Sequence, residues 1–334
     1  LRDGLSTDID KAAILYRTNA QSRAIEDALT REAIAYRMVG GVRFYERKEV
    51  KDALAYLKLL LNPHNDVSLR RIINVPARRI GKSVMESLQK VALETHVDAA
   101  PLLTGLGSPE LVDSLWTRLL QGLDRRAFPS RALTALTAFR DLILELREVA
   151  QTESVSMTLG KVLDRSGYIQ DLRDEHSEEA EGRIENLMEL VSAAREHEAR
   201  NPDASLASFV DELSLLSDVD EEAGARDAHV LMMTMHSAKG LEFQTVILAG
   251  LEDGLFPHAR SRESESELEE ERRLCYVGIT RARRQLVLTS AARRREQIPG
   301  RRRRGDLARL NSVRESAGEL PRDAVEVVHD DVDE

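Results

Sequence analysis

Thr234, His236, Lys239 and Glu242 fall within ten residues of one another in Thr234-Met235-His236-Ser237-Ala238-Lys239-Gly240-Leu241-Glu242-Phe243. A hydroxyl, an imidazole, an ammonium and a carboxylate beside a conformationally permissive Gly240 crowd polar chemistry into one turn and mark a candidate site, whereas a lone His near a core is usually a structural residue. The segment lies between two apolar runs that read as buried strands, and in an open α/β sheet the turn after a strand's carboxyl end is where ligands bind. A second chemical group is Arg281, at the far end of the helix expected through EEERRLCYVGITRA to about Ala282. Its guanidinium can complement the helix C-terminal dipole. It can equally neutralise charge developing on a transferring γ-phosphoryl group, and local sequence does not choose between the two. Cys275, inside the same helix, reads as a small core residue and not as a nucleophile.

A third group is basic. In NVPARRIGKS a Gly-centred turn between two short helices exposes backbone N–H groups while Arg78, Arg79 and Lys82 supply charge. Such a turn can hold a duplex phosphate backbone without reading bases, or it can be a solvated basic turn. Gly81-Lys82-Ser83 is not a nucleotide-binding loop: G-x-x-x-x-G-K-[ST] requires Gly at position 76, which is Pro76. Ser83 is expected to cap a helix, with Glu86 completing the capping box; Ser266 and Glu269 are expected to do the same for the later helix.

These groups need a scaffold. Ala12 to Tyr16 is a short apolar run consistent with a buried parallel strand, a helix is expected between Asn19 and Arg31, and Ala35 to Val39 reads as a second strand stopped by Gly40-Gly41. From Lys48 to about Gly224 the periodicity is helical, as in Leu133, Leu136, Phe139, Ile143 and Leu146. From His229 the β-α-β rhythm resumes with HVLMMT, QTVILAG, the long charged helix and QLVLTS. The chain is therefore expected to be an α/β parallel-sheet domain split by a large all-helical insertion, too long to be a loop. The segments expected are 1–48 and 226–310 for the sheet domain, 49–225 for the insertion, and 311–334 for an acidic tail that reads as disordered.

The 334 residues carry 48 Lys plus Arg against 58 Asp plus Glu, a formal net charge of -10, and that sum alone argues against a nucleic-acid partner. Its distribution reverses the inference. Residues 70–82 hold five basic residues and no acid, and residues 281–304 hold ten Arg against Glu296, whereas 171–227 hold eighteen acids against five bases. One Cys, no signal-like N-terminus and no apolar run of spanning length make a reducing cytoplasm the expected compartment.

At MTMHSAKGLEF and EEERRLCYVGITRA, joined to YRTNAQSR and GGVRFYERKEVKDALAYLKLLL, residues 9–295 resemble the C-terminal half of a UvrD/PcrA/Rep-type superfamily 1 DNA helicase. The resemblance implies a second RecA-like motor domain interrupted by a mobile helical subdomain, in a motor that hydrolyses ATP and steps 3′ to 5′ along single-stranded DNA in DNA repair. It implies that Arg281 is the arginine finger, that Gly240 and Glu242 lie beside the ATP ribose and phosphates, and that Thr234 and His236 touch the single strand. Arg17, Asn19 and Arg23 match a motif facing that strand, with 44–48 at the adjoining junction. Arg78, Arg79, Gly81 and Lys82 match the duplex-binding turn, where the family usually has Gly in place of Arg79, a change expected to alter the turn's backbone.

The implied partners are single-stranded and duplex-junction DNA, a first RecA-like domain, and repair or transcription proteins. The implied cofactor is ATP with Mg²⁺, whose ligands belong to the Walker-containing domain that the sequence lacks, so the chain reads as a fragment inactive alone. The strand-separating aromatic of the family has no counterpart near Gln297. Alternative readings are a non-enzymatic DNA-binding or protein-docking module of helicase-like fold and, last, a subunit of a recombination nuclease.

Overall fold

The computed structural model describes residues 12–91, 113–201, 203–222, 230–291 and 325–330. The chain divides into two compact units, residues 1–47 with 218–334 and residues 48–217. A helix that continues to Glu222 runs across the second of these boundaries.

The first unit is a parallel sheet in the order β2-β3-β1-β4-β5-β6. Its strands are β1 (Ala12–Tyr16), β2 (Tyr36–Met38), β3 (Val230–Thr234), β4 (Phe243–Leu248), β5 (Ala282–Ala291) and β6 (Val325–Asp330). β1 is central, and all five of its residues are buried. Ala13 and Leu15 face one cluster with Met233, Val246, Leu248, Leu274 and Leu286, while Ile14 and Tyr16 face another with Leu29, Tyr36 and Met232. That alternation is the period-two geometry of a strand covered on both sides, which is why its sequence is continuously apolar. Helix α1 (Ser22–Arg31) covers one face.

The acidic tail read as disordered contributes β6, whose Val325-Glu326-Val327-Val328 run pairs with Leu286 to Thr289. β-Branched residues at three of those four positions suit an edge strand despite the flanking acids.

The second unit contains α2 (Lys48–Leu61), α3 (Asp66–Ile72), α4 (Lys82–Gln89), α5 (Leu115–Asp124), α6 (Ser130–Thr152), α7 (Val155–Arg165), α8 (Tyr168–Asp174), α9 (Glu178–Arg200) and α10 (Leu206–Glu222). No strand occurs among its described residues. α2 packs against α3, α6, α7 and α9, and Leu136, Phe139, Ile143 and Leu146 are fully buried at the expected helical spacing. Its entry is fixed by two buried carboxylates: Asp52 accepts from Arg71 (2.7 Å) and Tyr168 (2.9 Å), and Glu49 accepts from Asn186 (2.6 Å).

Two caps differ from expectation. α4 starts at Lys82 with Gly81 as N-cap, so Ser83 lies inside the first turn and caps nothing. The last helix, α11 (Glu265–Ile279), is capped by Ser264, which accepts from the Glu267 amide, and not by Ser266; it ends at Ile279, three residues before Ala282. Ser264 and Ser266 each precede a Glu by three residues, so the local pattern admits both registers. Among the described residues no helix is long and apolar enough to cross a membrane.

Candidate functional site

The predicted residues of the first unit separate onto the two ends of its sheet. β3 ends at Thr234 alongside Tyr16, the last residue of β1, and the Met235 amide donates to the Tyr16 carbonyl at 2.9 Å. Residues 235–242 then lead to the opposite end, where β4 begins at Phe243 and its amide donates to the Arg281 carbonyl at 2.9 Å. Strands of five or six residues set these ends roughly 17–20 Å apart. Thr234, His236, Arg17 and Asn19 therefore share the carboxyl end, and Gly240, Glu242 and Arg281 share the amino end. The segment expected as one site runs between the two ends of the sheet.

At the carboxyl end the loop after β1 is shaped by Gln21, whose Oε1 accepts the amides of Arg17 and Thr18, both at 2.9 Å. Asn19 is exposed, and its carbonyl accepts from Arg47 Nη1 at 3.0 Å, while Arg47 Nη2 donates to Ser22 Oγ at 2.7 Å. Thr234 Oγ1 sits 3.0 Å from Ser237 Oγ and accepts the Ser237 amide at 3.3 Å, closing a tight turn that leaves His236 exposed. Gly40, at φ +74°, approaches this turn so closely that a Cβ would lie 3.0 Å from Ser237 Oγ.

Two arginines assigned to the strand-facing motif are engaged internally. Arg17 places Nε 2.9 Å and Nη2 2.8 Å from Glu271 Oε1, and the buried Glu271 accepts the His258 amide through Oε2 at 3.1 Å. Arg23 is 3% exposed and pairs with Asp27 at 2.9 Å, and Asp27 also receives the Tyr45 hydroxyl. Arg23 is thus a core cation, correcting its placement on a DNA-facing surface; a buried charge requires such a partner. Glu26 is also 3% exposed and accepts from Ser22 Oγ, Tyr36 Oη and the Phe44 amide. Burial raises its pKa against the opposing effect of those donors.

At the amino end Arg281 follows the C-cap Thr280 directly. Its Nε donates to the Val277 carbonyl (3.0 Å), Nη1 to the Leu241 carbonyl (2.9 Å) and Nη2 to Thr280 Oγ1 (3.0 Å). The guanidinium complements the helix C-terminus and remains partly exposed. Its tether to Leu241 brings it beside Gly240, which has φ +85° and open space around its Cα. Glu242 is exposed and bridges Arg283 at 2.7 Å. Gly278 lets α11 approach β4, since a Cβ there would meet Leu248 Cδ2 at 2.9 Å. Burial pushes the Cys275 thiol up to about 11, with the Glu271 carboxylate adding to the shift, in keeping with an unreactive core thiol.

In the second unit Arg78 departs most from expectation. Its guanidinium donates to three backbone carbonyls of its own turn and to Tyr56 and Ser166, facing inward where a phosphate contact was expected. Arg79, Gly81 and Lys82 are exposed. Arg79 occupies the left-handed region at φ +64°, so the turn keeps a glycine-like conformation where altered backbone was expected.

Glu271, Arg47, Glu26 and Arg283 were not singled out from the sequence. Glu271 was accessible to it: it shares a helical stripe with Leu274 and Gly278, and a carboxylate on a buried stripe demands a cation.

With this geometry in hand, comparison with known proteins finds that residues 4–293 match the family described as UvrD-like helicase C-terminal domain. The chain belongs to that family. It is 42% identical over 288 residues to the ATP-dependent DNA helicase PcrA of Bacillus subtilis, covering 84% of this chain and 36% of that protein. The PcrA proteins of Staphylococcus epidermidis and Staphylococcus aureus are 42% and 40% identical over 286 residues, each covering 84% of this chain and 37% of the relative. The chain spans a little over a third of the length of these curated relatives. The motifs shared with the UvrD/PcrA type thus run through a parallel α/β sheet and its helical insertion, as the resemblance implied.

Proposed function

We propose that this UvrD-like region forms part of an ATP-dependent DNA helicase and places its DNA-facing and nucleotide-facing groups on opposite ends of one sheet. The observation that carries the reading is the position of Arg281. A partly exposed guanidinium is fixed by Val277, Leu241 and Thr280 beside an open Gly240 turn, in a chain 42% identical to PcrA helicases. On closure against a phosphate-binding domain, Arg281 exchanges backbone acceptors for γ-phosphate oxygens and stabilises charge in the transition state. Gly240 and Glu242 border the nucleotide. Asn19, Thr234 and His236 border single-stranded DNA, with Arg17 held by Glu271 as the support of that loop.

Among the described residues no group of three or more His, Cys, Asp or Glu could hold a metal ion, and no step is assigned to Mg²⁺ through these residues. The proposal includes 3′ to 5′ stepping in DNA repair in the cytoplasm, with phosphate and Mg²⁺ ligands supplied by a Walker-type domain, so that this region alone does not turn over ATP. Duplex DNA at a junction is assigned to the Arg79–Lys82 turn.

The chain itself tests the DNA part. Fluorescence anisotropy with a labelled 3′-tailed duplex is expected to show binding that weakens steeply with salt, because each neutralised phosphate contributes about −0.9 to the log–log slope. Absence of binding at low salt, or binding indifferent to salt, would contradict it.

A further inference from the structure

The turn joining α3 to α4 is organised from its inner side by one guanidinium. Arg78 Nη1 donates to the carbonyls of Ile72 (3.1 Å), Val75 (2.9 Å) and Pro76 (3.3 Å), and Nη2 to Tyr56 Oη (2.6 Å) and the Ser166 carbonyl (3.0 Å). The Arg78 Cζ lies 5.9 Å from the Tyr56 ring centroid and 5.6 Å from that of Phe139. Tyr56 Oη donates in turn to the Val75 carbonyl at 2.5 Å. From the backbone side, Asn74 Oδ1 accepts the amides of Arg78 (2.8 Å) and Ile80 (3.1 Å), and Ile80 is buried. Residues 74, 75, 76, 78 and 80 are thereby tied down.

What remains outward is a specific set. Arg79 and Lys82 are exposed on either side of Ile80 and Gly81, and α4 starts at Lys82. No hydrogen bond among the described residues uses the amide of Arg79, Gly81, Lys82 or Ser83. Two cations and a cluster of amides at a helix start suit a phosphate backbone, and their spacing is set by the anchored residues between them. Four N–H groups shared among five acceptors on three separate segments suit a planar fork; an ammonium has three donors and no fork geometry.

We propose that Arg78 is the positioning residue of the duplex-facing turn: its guanidinium holds Arg79, Gly81 and Lys82 in phosphate-binding geometry and does not itself touch the nucleic acid. This role rests on the reading that the turn binds duplex. It assigns the basic cluster two distinct jobs, one internal and uncharged in its effect on salt dependence, the other external and electrostatic.

The test is a salt series of anisotropy titrations with the 334-residue chain, a 3′-tailed duplex and the single strand alone, accompanied by thermal melts. Arg78→Lys and Arg78→Gln are each expected to weaken tailed-duplex binding roughly tenfold or more. They leave the salt slope and single-strand affinity as in wild type. Lys82→Ala instead lowers the slope by about 0.9. Wild-type duplex affinity in Arg78→Lys, or a slope loss in Arg78→Gln equal to that of Lys82→Ala, would overturn the proposal by making Arg78 an ordinary phosphate contact. Should the melts show that neither Arg78 variant folds, Tyr56→Phe removes one acceptor of Nη2 and carries the same expectation; unchanged duplex affinity there would overturn it. A wild-type chain that binds the tailed duplex no better than the single strand removes the duplex reading itself, a result distinct from the Arg78 outcomes.

Discussion

Arg79→Gly should make the helical unit more stable and its hold on duplex DNA weaker. Arg79 sits at φ +64°, where an L-residue's Cβ crowds the following carbonyl at a cost of about 1–2 kcal/mol. Glycine removes that cost but loses about 0.5–1 kcal/mol through the greater freedom of its unfolded chain. The net is a stabilisation of about 0.5–1 kcal/mol, or a rise in Tm of about 1–4 °C for a unit of this size. Arg79 is exposed, so little packing is lost with the side chain. The same substitution deletes one cation from the duplex-facing set, so the salt slope falls by about 0.9 and affinity at ~0.1 M salt drops several-fold. Thermal unfolding followed by circular dichroism reads the first effect, and anisotropy with a tailed duplex across about 50–200 mM salt reads the second. A lower Tm would refute the strain argument, and an unchanged slope would remove Arg79 from the phosphate contacts.

Glu271→Gln frees Arg17 from its buried partner and should destabilise the sheet unit by about 3 kcal/mol, as breaking a buried ion pair does; an unchanged melt would show the pair to be ornamental. Gly278→Ala forces a Cβ to within 2.9 Å of Leu248, a side chain with no exposure, and should cost about 1–3 kcal/mol in the same melt. Glu26 has a raised pKa in the fold, so the folded state holds its proton more tightly than the unfolded chain. Its contribution is present in full at acidic pH and is lost as pH rises through the folded value. Stability curves of wild type and Glu26→Gln should therefore differ in slope above the ordinary glutamate range near 4.5, and parallel curves would contradict the burial argument.

The strands were legible because a parallel sheet covered on both faces writes itself as unbroken apolar runs, and Ala12 to Tyr16 is one of these. The insertion was legible from helical periodicity, since Leu136, Phe139, Ile143 and Leu146 need only their own spacing to declare a face. The helix starts were not, because Ser264 and Ser266 offer equivalent capping patterns and the local sequence does not choose between them. The arginines were misread for a related reason. Arg78, Arg79 and Lys82 are equally basic in one dimension, and what divides them is the arrival of Tyr56, Phe139 and Ser166 from distant segments. Arg23 carried a local hint in Asp27 four residues on, but its burial depends on the fold. The separation of Thr234 from Gly240 required knowing that residues 235–242 cross from one sheet end to the other.

The central claim is that Arg281 acts on the nucleotide in a helicase that uses this region. The direct measurement is steady-state ATP turnover, with single-stranded DNA present, by this chain joined to a PcrA-type Walker domain, comparing Arg281 with Arg281→Ala. Loss of the finger should lower kcat by about 10³–10⁵-fold while DNA affinity stays within about twofold. Turnover unchanged by the substitution would contradict the account and leave Arg281 as a helix-end cation.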